Sequence, residues 1–438
     1  MKLGPVVAVL GLAVPGLAQY AGPAILSRGE APAAMAAPEV HFRPFVEISA
    51  VWDTGLANVG ITDTGSLASS ASYGMALAWG VSGTHSWRYS KLGLDYRGSI
   101  DHYFKNSYYD SLNQSLLLGL SHRFTRRVTS SVHLGAGQFS RDFGLQGLPQ
   151  NANFDPSSTY IPTTDFFDNR TVYFTATVDV TIQKTARLSF DLGGSGFIIR
   201  RRSSALYGSV GAGAEADVQY RLTRRTTIGT AYAYQHFDYN HIFGGTDMHQ
   251  VTGTYAVRIS RLAEFSAFAG AAFTESKFIQ QIAIDPSIAA LLGITQASLV
   301  GYGVNWEPTF SARLSRTFQR GVAYLGASRT ITPGNGLFLT STVTSAVAGY
   351  SYTWKRRWSF GAAVDYSRAR SIGNIMGVYG GVSGSVNASR QIWRYIHFTS
   401  SFSARSYSSP DYSKYNRIIY SASAGLGFTP GDIPLRIW

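Results

Sequence analysis

Polar and apolar residues alternate along most of this chain. The stretch 172–183 reads Val-Tyr-Phe-Thr-Ala-Thr-Val-Asp-Val-Thr-Ile-Gln, with apolar residues at the even positions and mainly polar residues at the odd ones. The same period of two recurs in 209–222, 358–366 and 420–428. This period is typical of a β-strand with one apolar and one polar face, and no comparable stretch has a helical period. The alternation therefore predicts an all-β fold.

Short basic turns divide the strands at a regular spacing of about 38 residues, with two longer gaps. These turns are 85–88, 123–127, 184–187, 221–225, 258–261, 313–320, 355–357 and 390–394. The connections at the other ends of the strands are mostly longer and more polar, and they include 55–69, 144–168, 241–246, 281–295 and 408–413. We count about eighteen strands, with sixteen as the alternative. An even number of strands places both termini on the short-turn side.

Two architectures can carry this pattern. A soluble β-propeller has short strands at similar spacing, but its blades stack face to face and repeat a blade motif. Here one face of each strand is apolar over its whole length, and the other carries Ser, Thr, Gly and charged residues. Such a sheet can place its apolar face in lipid if it closes and leaves no unpaired edge. We therefore predict an antiparallel up-and-down transmembrane β-barrel.

The N-terminus predicts export. Residues 1–18 combine a positive start, an apolar centre and small residues before a cleavage point, which is typical of a signal peptide. A membrane anchor is the alternative, although Pro5, Pro15 and the short apolar length disfavour it. Residues 19–39 form a leader rich in Ala, Pro and Gly, and 40–438 form the barrel. No apolar run of helical transmembrane length follows the leader.

Aromatic residues cluster near the predicted strand ends, as the interfacial girdles of membrane barrels require. They are Tyr89, Phe104, Phe124, Tyr220, Tyr352, Trp354, Trp358, Trp393 and Tyr395. Together with the signal peptide, the alternating strands and the turn rhythm, they resemble bacterial outer-membrane β-barrels of porin-like size. The resemblance covers about 40–438 and is architectural. Such barrels often end in an aromatic residue that the assembly machinery reads, and Phe428 and Trp438 are both candidates for it.

The resemblance and the barrel size together imply a function. A barrel of this strand number leaves an aqueous lumen. We expect a porin-like channel for passive diffusion of small hydrophilic solutes, in the outer membrane of a diderm bacterium with both termini periplasmic. The alternatives are a barrel for polysaccharide export or secretion, and a surface adhesion or structural protein. The implied partners are outer-membrane lipids, the barrel-assembly machinery and small hydrophilic solutes. Both a monomer and a homo-oligomer are compatible with the sequence.

Charged residues on the polar parity are candidates for the pore lining. They are Lys91, Asp95, Arg97, Asp179, Glu215, Asp217, Arg221, Asp365 and Arg405, joined by Arg187, Asp191 and Arg313. One reading is a solvated wall whose charges neutralise one another. The other is a transverse field that orients solutes, with selectivity set by rings of charge. The sequence does not decide between them, because it does not give the register in which the strands pair.

The segment 144–168 is the third long connection and the richest in aromatic residues. In porins the third loop commonly folds into the lumen, and the position of this segment is similar. It could equally cap the mouth or touch a neighbouring subunit. Infolding of 144–168 as a constriction is therefore one of three hypotheses.

Candidate chemistry beyond a pore is weak. His236, Asp238, His241, Asp247 and His249 flank one hairpin tip and could converge on a metal, but no ligand spacing supports this. His133 and many serines share the inward parity without a nucleophile motif. We expect no enzyme activity and no cofactor. Phosphate-binding loops and nucleic-acid folds are not recognisable in the sequence.

Composition and charge sharpen the picture in two ways. The chain of 438 residues has no cysteine, which excludes a disulfide scaffold and thiolate chemistry. Its net charge is +13, but the eight short turns hold 19 of its 38 basic residues and no acidic residue. Half of the basic residues are therefore concentrated at one rim, and the rest of the barrel is mildly acidic. This rim either anchors the barrel to lipid headgroups or attracts anionic solutes or a partner.

Overall fold

The computed structural model describes most of the chain between residues 43 and 430. The described ranges are 43–54, 57–61, 67–69, 71–104, 110–139, 170–202, 206–240, 242–283, 296–334, 339–354, 357–372, 378–408 and 417–430. Over these ranges the regular structure is β-strand, and they contain no helix that is long and apolar enough to cross a membrane. The predicted signal peptide (1–18), leader (19–39), loop 144–168 and Trp438 lie outside these ranges.

Eighteen of the twenty strands form one sheet. They are β1 (Arg43–Asp53), β4 (Ser72–Ser86), β5 (Ser90–Tyr103), β6 (Ser111–Arg123), β7 (Val128–Phe139), β8 (Thr171–Gln183), β9 (Leu188–Arg201), β10 (Ser209–Arg221), β11 (Thr226–Tyr239), β12 (Gly244–Ser260), β13 (Ala263–Ala283), β14 (Gln296–Phe318), β15 (Gly321–Thr332), β16 (Ser341–Trp354), β17 (Trp358–Ser371), β18 (Val378–Gln391), β19 (Ile396–Ser408) and β20 (Arg417–Phe428). The short strands β2 (Ala57–Ile61) and β3 (Leu67–Ser69) pair with each other in the first long connection.

The sheet closes on itself through β1. This strand pairs antiparallel with β4 over Arg43–Asp53 and with β20 over Val46–Asp53. Every other pairing joins consecutive barrel strands and is antiparallel. Closure removes the two edges that an open sheet would expose. The predicted all-β, up-and-down barrel of eighteen strands is therefore confirmed.

The strand register places the predicted apolar residues on the outer face and the polar residues on the inner face all around the barrel. The outward face carries large apolar residues that are exposed, such as Leu192 (51%), Val251 (59%) and Leu426 (54%). The inward face is small and polar, with Ser189, Thr227 and other hydroxyl residues buried. Directly paired residues of antiparallel strands point to the same face of the sheet. Odd or even position within each strand therefore assigns every strand residue to the lumen or to the outer surface.

The short turns lie together at one end of the barrel, and three of them share a local chemistry. Thr125, Thr185 and Thr223 each accept hydrogen bonds at Oγ1 from the backbone N–H groups two and three residues ahead, at 3.1 and 3.0 Å. A threonine at this position satisfies the free amides of a tight turn. The adjacent Arg and Lys residues stay exposed at the rim.

The wall is irregular between β14 and β15. β14 has 23 residues, but only Phe310–Phe318 pairs with β15. Its other part pairs with β13 alone, so these two strands project as a long hairpin. The pairing of β15 with β14 ends at Arg329, whereas β15 stays paired with β16 up to Thr332–Ser341 and β16 with β17 up to Ser341–Ser371.

Candidate functional site

Register places all nine predicted pore-lining residues on the inward face of the barrel. Asp179, Asp217 and Arg221 share the parity of the buried Ser189 and Thr227, and register carries the same face to the remaining strands. The full set is Lys91, Asp95, Arg97, Asp179, Glu215, Asp217, Arg221, Asp365 and Arg405. Asp191 and Arg313 face the same way. Both signs of charge therefore face the enclosed space.

Four of these carboxylates form a stripe on three adjacent strands. Asp191 of β9 pairs directly with Asp217 of β10, and Asp179 of β8 lies one diagonal step away. Glu215 follows two residues from Asp217 on the same face. Like charges placed opposite each other across two strands destabilise a sheet. The stripe, which we call the acidic stripe, lies nearer the short-turn end of the barrel.

The register partners of the acidic stripe on the neighbouring strands are uncharged. The register partners of its members outside the stripe are Ser131, Thr181, Gly193, Ala231 and Ala233. Asp217 is 8% exposed and accepts a hydrogen bond from Gln219 Nε2 at 2.5 Å. The wall on this side of the lumen therefore carries concentrated negative charge.

Basic residues face the lumen from other strands. Arg97 and Asp95 on β5 form a two-pronged ion pair, with Nε to Oδ1 and Nη2 to Oδ2 both at 3.0 Å. Arg405 on β19 and Arg313 on β14 share the inward face. Asp365 on β17 accepts a hydrogen bond from Ser383. The charges are thus unevenly distributed around the lumen, because four carboxylates cluster on β8–β10, with Arg221 at the short-turn end of β10, and the other strands carry both signs.

At the end opposite the short turns, described residues of the connection between β15 and β16 contact inward-facing residues of other strands. We call residues 333–340 the inner connection; 335–338 of it lie outside the described residues. Pro333 and Gly334 begin it, and Gly334 has a φ of 76°. This conformation suits glycine after proline in a tight turn. Thr332 Oγ1 accepts from the Gly334 N–H at 3.3 Å, which steadies the turn.

Hydroxyl groups tie the inner connection to the facing wall. Thr340 Oγ1 is hydrogen-bonded to Tyr239 Oη at 2.9 Å and to Thr246 Oγ1 at 2.5 Å. Thr246 is also bonded to Ser276 at 3.1 Å. Tyr239 ends β11, four strands from β15 around the wall. Contacts between strands so far apart can form only across the interior.

Two apolar clusters support this arrangement. Leu339 packs in a buried cluster whose other members are Tyr173, Phe197, Ile199, Phe237 and Tyr239. On the other side, Ile331 and Ile372 pack against Met248 and Ala272 of the projecting wall. Where the β14–β15 pairing ends, Arg329 Nη2 lies 2.6 Å from Glu307 Oε2, and both side chains are partly buried. The inner connection is therefore packed from both sides.

The sequence did not predict that the connection between β15 and β16 packs against the inward face of other strands. It pointed to 144–168, which lies outside the described residues, so that hypothesis stays a prediction. A signal for the inner connection was present in the sequence, because no charged residue occurs between Arg329 and Lys355. A long-side connection without charge is unusual for a solvated loop. The sequence contains no comparable signal for the unusual length of β14.

The predicted histidine and aspartate convergence is partly observed, on the outward face. His236 Nδ1 lies 2.9 Å from Asp247 Oδ1, and its Nε2 lies 3.1 Å from Asp238 Oδ2. His249 is bonded instead to Tyr232 Oη at 2.8 Å, and His241 lies outside the described residues. Over the described part of the chain no group of three or more such ligands could hold a metal.

Comparisons with known proteins give likeness only at the level of structure. No protein-family model and no curated protein matches the sequence. OccK5 (OpdH) of Pseudomonas aeruginosa is 12% identical, with a TM-score of 0.40 over 92% of this chain and 100% of that chain. OpdQ of the same organism is 9% identical, with a TM-score of 0.42 over 90% and 99%. The FrpB iron transporter of Neisseria meningitidis is 9% identical, with 0.40 over 84% and 62%.

The strand pairings and the two faces of the wall define the class of this protein. A closed antiparallel sheet satisfies its backbone without water, and its outward face is a continuous band of exposed apolar side chains. Exposed aromatic residues mark the band near the short turns, among them Tyr89 (49%), Phe124 (66%) and Trp393 (74%). The protein is a transmembrane β-barrel of eighteen strands.

Proposed function

We propose that this barrel is an outer-membrane channel for the passive diffusion of small hydrophilic solutes, with its short turns and both termini on the periplasmic side. The observation that carries the proposal is the polar, charged inward face enclosed by a wall that is apolar outside. A charged lining stabilises hydrated solutes, and a barrel of this strand number is too wide for side chains alone to fill.

The geometry supports a pore with two functional levels. The inner connection narrows the extracellular mouth and limits solute size. The acidic stripe lies deeper and faces the lumen on β8–β10, so it attracts cations on that side. The proposal assigns no catalytic role to any residue.

Planar-bilayer recordings test the proposal directly. We expect stepwise conductance from the purified full chain, with a reversal potential in a KCl gradient that shows a preference for cations. Asp179→Asn, Asp191→Asn and Asp217→Asn combined should move the cation-to-anion permeability ratio towards one, because the fixed negative charge of the stripe is removed. Asp238→Asn, on the outward face, is the matched control and should leave the ratio unchanged. Absence of conductance from correctly folded protein would refute the channel.

A second candidate function is adhesion at the cell surface, and one observation favours it. The hairpin of β13 and β14 exposes Tyr302 (72%) and Trp306 (70%), and Trp306 packs against Phe273 with ring centroids 5.1 Å apart. Exposed aromatic residues on a projecting element are typical of binding surfaces. Tyr302→Ser with Trp306→Ser should then lower adhesion of expressing cells while conductance stays normal. Unchanged adhesion would exclude this role.

A further inference from the structure

A groove runs across the outward face of β16 to β19, within the apolar band. It encloses about 620 Å³ and is lined by Tyr350, Tyr352, Phe360, Ala388, Ser400 and Phe402, among others. The floor is low because Ala388 and its register partner Ser400 are small, as is Ala362 one diagonal step from Ala388. Aromatic rings raise its sides. A concave apolar surface of this kind accommodates a chain of methylene groups better than the flat wall around it.

Stacked rings hold the sides of the groove in place. Tyr350 and Tyr352 stack on one side, with centroids 6.3 Å apart and ring planes at 18°. Phe402 stacks on Tyr420 on the other side, at 6.3 Å and 24°. Paired rings in these offset arrangements attract each other beyond the area they bury. The groove is therefore preformed rather than opened by its occupant.

A positive charge stands at the end of the groove near the short turns. Arg390 is two residues beyond Ala388 on the same outward face of β18. Its guanidinium carbon lies 5.0 Å from the ring centroid of Trp358, which in turn stacks on Phe360 at 5.6 Å. Phe398 is the register partner of Arg390 on the other side. The arginine is thus positioned between aromatic residues where the apolar band meets the headgroup region.

The position of the groove along the strands indicates which membrane leaflet it faces. Phe360 is two residues from the start of β17, and Ser400 is four residues from the start of β19. At about 3.4 Å per residue the groove lies within the half of the bilayer next to the short turns. Given the proposed orientation, this is the periplasmic leaflet.

We propose that this groove binds one glycerophospholipid, with the phosphate on Arg390 and an acyl chain along Ala388 between the tyrosine and phenylalanine walls. The charge of the guanidinium complements a phosphodiester, and the shape and polarity of the groove complement an acyl chain. The site is on the outside of the barrel and does not depend on conduction through the lumen.

Native mass spectrometry of the full chain in detergent, with phosphatidylglycerol added, tests the proposal. We expect one retained lipid on the native protein and about tenfold less retention in Arg390→Gln, because a charge-assisted contact is lost. Diacylglycerol with the same acyl chains, which lacks the phosphate, should not be retained. Loss of a heat-dependent gel shift would reveal any variant that fails to fold.

Two matched variants separate a built site from ordinary contact with the membrane. Arg394→Gln removes a neighbouring rim cation with the same ring geometry, 5.2 Å from the Tyr395 centroid, outside the groove, and should leave retention unchanged. Ala388→Leu fills the groove with Arg390 intact and should reduce retention. Equal loss in the two arginine variants, no loss in Ala388→Leu, or retention of lipid A in place of phosphatidylglycerol would overturn the proposal.

Discussion

At the scale of single residues, three hydroxyl groups meet at Thr340, at the end of the barrel opposite the short turns. Tyr239 and Thr246 both bond to it, and all three side chains are buried. Their parity could be predicted from the sequence, as could that of Asp179 and Asp217. Their meeting could not, because Tyr239 and Thr340 are 101 residues apart and only tertiary packing brings them together.

Thr340→Val is expected to weaken the constriction. Valine keeps the shape of threonine but leaves the hydroxyl of Tyr239 buried without this partner, at a cost of about 1–2 kcal/mol in the free energy of unfolding. Urea unfolding in micelles measures the loss, and single-channel conductance should rise as the inner connection loosens. Thr353→Val, on the inward face at the other end of β16, is the control. A stability equal to the native protein would argue against the hydroxyl cluster.

At the scale of elements, the strands themselves could be predicted and their unequal lengths could not. The alternation in 172–183 and 358–366 matches β8 and β17 closely. The 23 residues of β14 and its partial pairing with β15 have another cause. They accompany the packing of this end of β15–β17 against inward-facing residues of β8, β9, β11, β12 and β13.

A cysteine pair tests the position of the inner connection. The chain has no native cysteine, so Thr246→Cys with Thr340→Cys introduces the sole thiols. The two hydroxyl oxygens are 2.5 Å apart, close enough for the substituted sulfurs to bond. We expect a disulfide to form on oxidation, seen as loss of free thiol and an altered gel mobility. Thr246→Cys with Thr353→Cys should keep both thiols free. Free thiols in the first pair would show that the connection does not reach this wall.

At the scale of the whole molecule, the outward band decides where the barrel resides. Leu192→Arg places a charge on the lipid-facing side of β9 and should lower the free energy of unfolding in vesicles by about 2–4 kcal/mol. Ser195→Arg, on the inward face of the same strand, should cost much less because its charge meets the lumen. A similar cost for both variants would contradict the assignment of the two faces.

The sequence by itself determined the barrel, its strand number, its two faces and the end that carries the basic turns. These follow from the period of two and from the turn residues, which act over a few neighbouring positions. The tertiary structure alone decided that β14 runs past β15, that the inner connection crosses to Tyr239, and that a groove lies beside Arg390. Each of these depends on side chains from distant strands meeting in one place, and only the closed register of the wall brings them there.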